Sequence, residues 1–407
     1  MKQHALMMTG ALLTVALPAS AFEIDPHVPP EIVIGGRGLA TVDFEQLQRV
    51  DEGATSEEGV NIDDSSLLLG FAKHLHDDNY YGFGAFGFKA LGDTEMNESV
   101  FLHQAYAGVG GRQWEARAGR TGLPNSLVRF PTVRDDDLLA YTHVPNARLD
   151  GDSDTLNLYG EQVAADWWFT PYVGVTAAAL ARPEGEPDNP RYGSFNSGSL
   201  GLHYRVPETM DTDRGLTFAG LSVDVQPFDE SDDPDLDDGD LVTVQLGAGF
   251  NISGHPERLL HLDTQLMWSQ GEEYDSLESG LQRARSDATS AVASLRYRHR
   301  PYLQQRWQAA LTVAGQDYGD FDNARRYAVA PSFAWRLGNG IDAVAQVAHE
   351  RYEGDLRRGV GLEHETTVQF GVSMQFDHTF NQSVGRRDDI IHLEHDMLLP
   401  GPSFGGH

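Results

Sequence analysis

Arg296, Arg298 and Arg300 occupy alternate positions in the segment SLRYRHR. Residues two apart on an extended chain share a face, so this spacing stacks three guanidiniums in one column. A guanidinium is permanently charged and offers a planar fork of donors suited to carboxylate and phosphate. Aligned in a low-dielectric wall, such a column lowers the entry barrier for anions and breaks no bonds. Arg117, Arg120, Arg205, Arg326 and Arg336 are the further arginines read as lining the same polar surface. The competing reading is pairing with acids on neighbouring strands, and Asp263, Asp287 and Asp342 are available for it.

A second concentration of charge lies in 121–154, where Arg129, Arg134 and Arg148 accompany Asp135, Asp136 and Asp137. Bases facing acids across a narrow passage would set a transverse field that orients dipolar solutes. A solvated loop with its charges in the medium is the plain alternative. Signals for catalysis or metal binding are weak. His74 and His76 share a strand face but have no evident third ligand, and His392, Glu394, His395 and Asp396 crowd a terminal tail. There is no HExxH, GxSxG, P-loop or complete dinucleotide fingerprint, so neither catalytic residues, a metal site nor a cofactor is expected. The acidic run 229–240 offers oxygens for weak Ca²⁺ binding but lacks the twelve-position loop pattern.

Composition narrows the classes. The 407 residues contain no cysteine, which excludes a disulfide framework, a thiolate metal site and a cysteine nucleophile. Sixty-one acids against 30 bases give a net charge of −31, which argues against a nucleic-acid partner. Lys2, Lys73 and Lys89 are the only lysines, so arginine supplies nearly all of the positive charge. Residues 1–21 carry one basic residue, an apolar core and the small-residue sequence Ala19-Ser20-Ala21, the pattern of a cleaved secretory signal. Residues 22–31 then form a short lead.

Period-two alternation dominates the chain from 32 to 380. In 367–380, Val368, Phe370, Val372, Met374, Phe376 and Phe380 fall on one face, and Gln369, Ser373, Gln375 and Asp377 on the other. The pattern recurs in 240–252, 260–270, 306–318 and 326–337. Looser versions occupy 32–46, 65–76, 80–91, 99–110, 113–119, 155–168, 171–182, 194–206, 216–227, 290–300 and 341–352. An apolar face opposite a face of Gln, Ser, Asp and Arg suits a sheet between lipid and water. Connections alternate as well. Those at 338–340 and 253–256 are tight, whereas 50–64, 184–189, 229–240 and 272–287 are long and acidic. Aromatic residues gather beside the expected strand ends at Tyr80, Tyr81, Trp167, Trp168, Phe169, Tyr172, Tyr302 and Trp307, as interface girdles do.

These features predict an all-β fold, a transmembrane antiparallel β-barrel of about 16 strands (range 14 to 18) spanning 32–380. Its short turns would be periplasmic and its long acidic loops extracellular, with 121–154 the candidate constriction loop. A secreted β-sandwich is the alternative that alternation alone leaves standing. The segment 381–407 is expected to be a periplasmic or disordered tail.

At 99–147 the chain resembles the Gram-negative general and anion-selective porin group. Gln104, Ala105 and Tyr106 are followed by Arg117, Ala118, Gly119 and Arg120, and then by the long loop. The resemblance implies an outer-membrane channel for small hydrophilic, anionic solutes, assembled as a homotrimer. Members of the group usually end at a C-terminal aromatic; the matching Phe380 is here followed by 27 further residues. Outer-membrane lipid and lipopolysaccharide are the expected surroundings, the latter bridged to the acidic loops by divalent cations. A non-conducting barrel serving as adhesin, envelope scaffold or enzyme is the alternative function, motivated by the acidic loops and the tail.

Overall fold

The computed structural model describes residues 29–50, 53–62, 65–75, 80–90, 100–122, 127–128, 130–133, 141, 159–181, 195, 197–206, 214–228, 239–271, 287–304, 306–319, 321–338 and 340–380. Almost all of them are strand. In chain order these are β1 (Glu31–Arg49), β2 (Gly53–Asn61), β3 (Ser66–His74), β4 (Tyr80–Ala90), β5 (Val100–Gly111) and β6 (Trp114–Gly122). There follow β7 (Tyr159–Trp168), β8 (Val173–Ala181), β9 (Ser197–Arg205), β10 (Gly215–Phe228), β11 (Gly239–Asn251) and β12 (Arg258–Gln270). The last five are β13 (Ala288–His299), β14 (Trp307–Tyr318), β15 (Ala324–Gly338), β16 (Ile341–Glu353) and β17 (Leu362–Phe380). One short helix, α1 (Gly354–Val360), joins the final pair.

From β3 onward each strand pairs antiparallel with the next, and β1 pairs with β17 along its whole length, which closes the sheet. The other edge of β1 is shared. Thr41–Arg49 pairs with β2, and Glu31–Arg37 pairs with β3. Between them the Ser65 hydroxyl donates to the Leu39 carbonyl at 3.1 Å and accepts from the Leu39 amide at 2.9 Å, bridging the ladder where β2 hands over to β3. The seventeen segments therefore occupy sixteen wall positions, with β2 and β3 sharing one. This corrects the reading of 50–64 as a loop. GATSEEGVN is polar on both faces because it extends as a hairpin with β1 and has no apolar side to bury.

Alternation sorts the side chains as the sequence predicts. On β12, Leu266 is 55 % exposed and Gln265 1 %; on β17, Phe370 is 53 % exposed and Gln369 1 %. The outward set forms an apolar belt that includes Phe86, Leu200, Leu246, Val329 and Phe376. The inward set is dominated by Ser, Thr, Gln, Asp and Arg. A closed barrel pairs its backbone groups between strands, so this belt can face lipid at no hydrogen-bonding cost. No helix of the described residues is long and apolar enough to cross a membrane. The barrel fold needs none. The aromatic clusters divide by the same parity. Trp167 and Phe169 face outward, while Trp168 turns inward onto His203, with ring centroids 4.6 Å apart.

Candidate functional site

The strands place the start of β1, the end of β17 and the short connections at one rim, here the turn rim. The long connections and α1 leave from the other, the loop rim. Gly340 allows the tightest turn because its φ of +70° lies in the left-handed region.

The connection between β6 and β7 runs against the inner wall. Seven of its residues up to 141 are described, and six of them, Leu127, Val128, Phe130, Pro131, Val133 and Tyr141, pack against or are bonded to other strands. Leu127 and Val128 lie over β10 and β11, where Gly220 and Gly247 leave the floor bare. A Cβ on Gly247 would stand 3.0 Å from Val128 Cγ2, and one on Gly220 3.1 Å from Leu127 Cδ2. The Ser332 hydroxyl donates to the Pro131 carbonyl at 2.7 Å. The Val133 amide donates to Gln346 at 2.8 Å, and Arg37 donates to the Val133 carbonyl at 2.8 Å. Farther on, Ser290 donates to the Tyr141 carbonyl at 2.6 Å. The Tyr141 hydroxyl donates to Glu350 at 3.1 Å, and the Arg326 guanidinium lies 4.4 Å from its ring centroid. Burial pushes the Tyr141 phenol far above its usual value, so it remains a donor. Leu127, Val128, Phe130 and Tyr141 share an apolar cluster with Phe218, Val292, Ala314 and Ala328. Hydrogen bonds to its backbone and burial of its apolar side chains together hold this stretch in the lumen.

The arginines fall into groups around it. Arg296, Arg298 and Arg300 succeed one another towards the turn rim on the inward face of β13. Arg296 pairs with Asp263 at 3.0 Å, and Arg298 donates to Gln308 at 3.2 Å. Arg336 pairs with Asp342 at 2.5 Å. Arg117 pairs with Asp166 at 2.5 Å, and Thr176 donates to the second oxygen of that carboxylate at 2.5 Å. Of the three acids available in the sequence, Asp263 thus holds Arg296 of the column and Asp342 holds Arg336, while Asp287 instead accepts from the Gly271 amide at 2.9 Å. Arg205 ends β9 at the turn rim, in the row of inward-facing Phe218. Arg326 belongs to the Tyr141 anchor and donates to Gln316 at 2.7 Å.

Arg120 departs from the expectation. It is three residues from inward-facing Arg117, so the pleat turns it to the other side, into the row of outward Ala105 and Glu161. Arg129, Arg134, Asp135, Asp136, Asp137 and Arg148 lie outside the described residues. So do 1–28 and 381–407, which hold the expected signal and tail.

Two carboxylate pairs stand on the inward face near the loop rim. Glu350 is the direct cross-strand partner of Glu365, and Glu45 that of Glu57. Like charges placed directly opposite destabilise a sheet, so neither pair is a stabilising feature. Among the described residues no cluster of three or more His, Asp or Glu side chains is arranged for a metal ion.

No protein-family model matches the chain, and a search of curated proteins finds no relative. Solved structures share its fold. The outer membrane channel DcaP of Acinetobacter baumannii aligns with a TM-score of 0.58 at 13% identity, covering 87% of this chain and 99% of that one. Salmonella typhi OmpF, solved in complex with daunomycin, gives 0.58 at 9% identity over 85% and 97%. Pseudomonas putida OprB gives 0.54 at 10% identity over 85% and 94%. The chain has the fold of outer-membrane β-barrels.

Proposed function

We propose that this chain is a passive diffusion channel for small hydrophilic solutes in the outer membrane of a Gram-negative bacterium. In this reading the connection 121–154 narrows the bore, and the guanidiniums on the turn side favour anions. The observation that carries the proposal is the inward docking of the described part of that connection onto a polar wall, through Ser332, Gln346, Arg37 and Tyr141. Conduction requires a wet passage, a charge pattern and no reacting group. The fold shared with a named outer membrane channel agrees with it.

The surroundings belong to the same reading. The apolar belt meets lipid, and the acidic connections at the loop rim bind divalent cations that bridge to lipopolysaccharide. A homotrimer is the assembly proposed; OmpT of Vibrio cholerae, which aligns with a TM-score of 0.52 at 10% identity, was solved in a trimer form.

The test is recording in planar bilayers. Purified protein should give stepwise ohmic conductance in concentrated salt and, in a KCl gradient, a reversal potential on the anion side. Arg298→Glu should move that potential towards the cation side. Protein that migrates as a folded, heat-modifiable barrel yet stays silent at every voltage would replace this reading with a non-conducting barrel.

A further inference from the structure

Charge of opposite sign is collected at the two ends of one bore. On the turn side, Arg298 of β13, Arg300 just after that strand and Arg336 of β15 share the inward face with Arg306, which precedes β14. Against these four the same sector of wall sets Asp342 and, before β12, Glu257. On the loop side, Glu350, Glu365, Glu45 and Glu57 occupy one face of four neighbouring strands, β16, β17, β1 and β2. Arg326 and Arg49 are the bases placed among them.

The docked stretch marks the border. Cross-strand partners run from Arg296 to Ala310, Ser332 and Gln346, and the last two hold Pro131 and Val133. Arg298 and Arg300 lie on the turn side of that row, and Glu350 and Glu365 on the loop side. Net charge decides the potential whether or not individual side chains are paired.

We infer that the channel rectifies ionic current, passing more when the chamber at the loop rim is positive. This rests on the channel reading above. With that polarity, cations enter through the end that concentrates cations and anions through the end that concentrates anions, so both accumulate in the bore. With the opposite polarity each ion must enter through the end that repels it, and the bore is depleted.

The experiment is single-channel recording of the full chain in symmetric KCl. At about 0.1 M, where fields reach about 10 Å, the two polarities should differ about twofold in conductance. At about 1 M, where they reach about 3 Å, the ratio should approach one. Glu45→Gln with Glu57→Gln, the latter on the exposed strand β2, should cut the ratio, and so should Arg300→Gln. Orientation is fixed with Glu57→Cys, since the chain has no other cysteine. A membrane-impermeant cationic thiol reagent too bulky for the bore reacts only from the loop-rim chamber, and it should lower the ratio further. Linear current–voltage curves at both salt concentrations would overturn rectification and leave the channel standing. Rectification of the opposite sign, or one unmoved by all these variants, would overturn the assignment to these groups. Silence at all voltages would overturn the channel and the rectification together.

Discussion

Arg37 on the first strand donates to the carbonyl of Val133, 96 residues later, at 2.8 Å. A charged donor on a backbone acceptor reads no side chain, so the bond fixes where the connection lies whatever residue stands at 133. Arg37 also reaches Ser373 at 3.4 Å, which orients the guanidinium from the far side. Replacing it by methionine keeps the length and removes the donor, a loss of about 1.5–3 kcal/mol for a hydrogen bond to a charged group. The barrel should still fold, and open-channel current noise should rise as the docked stretch loosens. Noise equal to that of the parent would contradict an anchoring role.

The glycine floor gives a steric counterpart. A Cβ on Gly220 would lie 2.7 Å from the Phe218 ring and 3.1 Å from Leu127. Gly220→Val should cost about 1–3 kcal/mol through overpacking and lift the connection from the wall. Gly315, whose added Cβ would meet nothing closer than Tyr327 at 3.5 Å, is the control. Gly315→Ala should leave both conductance and the temperature of the heat-modifiable transition unchanged.

The ion pairs should separate by burial. Arg117 and Asp166 are buried, so Asp166→Asn strands a guanidinium and should cost about 3–5 kcal/mol. The outward pair of Arg325 and Asp317, 2.9 Å apart, is about half exposed on both sides. Asp317→Asn should cost about 0–1 kcal/mol. Urea unfolding of both variants in detergent tests the contrast, and equal losses would refute it.

Tyr141 predicts an alkaline limit. Its phenol is raised from 10.0 by burial, so the folded state binds the proton more tightly than the unfolded chain does. The stability this contributes is complete below pH 10 and is lost as pH rises above it. Conductance should therefore be steady through neutrality and grow noisy above about pH 10. Tyr141→Phe keeps the apolar contact with Phe218 and its neighbours, gives up the bond to Glu350, and should abolish that alkaline onset.

Alternation made the barrel legible because a wall between lipid and water imposes opposite chemistry on successive residues. Arg117, Arg296, Arg298 and Arg336 were readable for the same reason. Arg120 closes the tetrapeptide Arg117-Ala118-Gly119-Arg120 that carries the resemblance, and residues three apart do not share a face in a regular strand. The strand 53–61 escaped notice since a hairpin that is polar on both sides shows no period. Pro131, Val133 and Tyr141 were invisible in kind. Ser332 and Gln346 meet the chain 201 and 213 residues away, and they meet its backbone, on which composition leaves no mark.

The shared edge of β1 has a bearing on assembly. The strand made first is flanked on one side by β17, the strand made last, so its outer hydrogen-bonding edge must wait for nearly the whole barrel. An unpaired edge invites pairing with other chains. Synthesis interrupted anywhere before 362 would leave two such edges, and the polypeptide needs an escort until its ends have met.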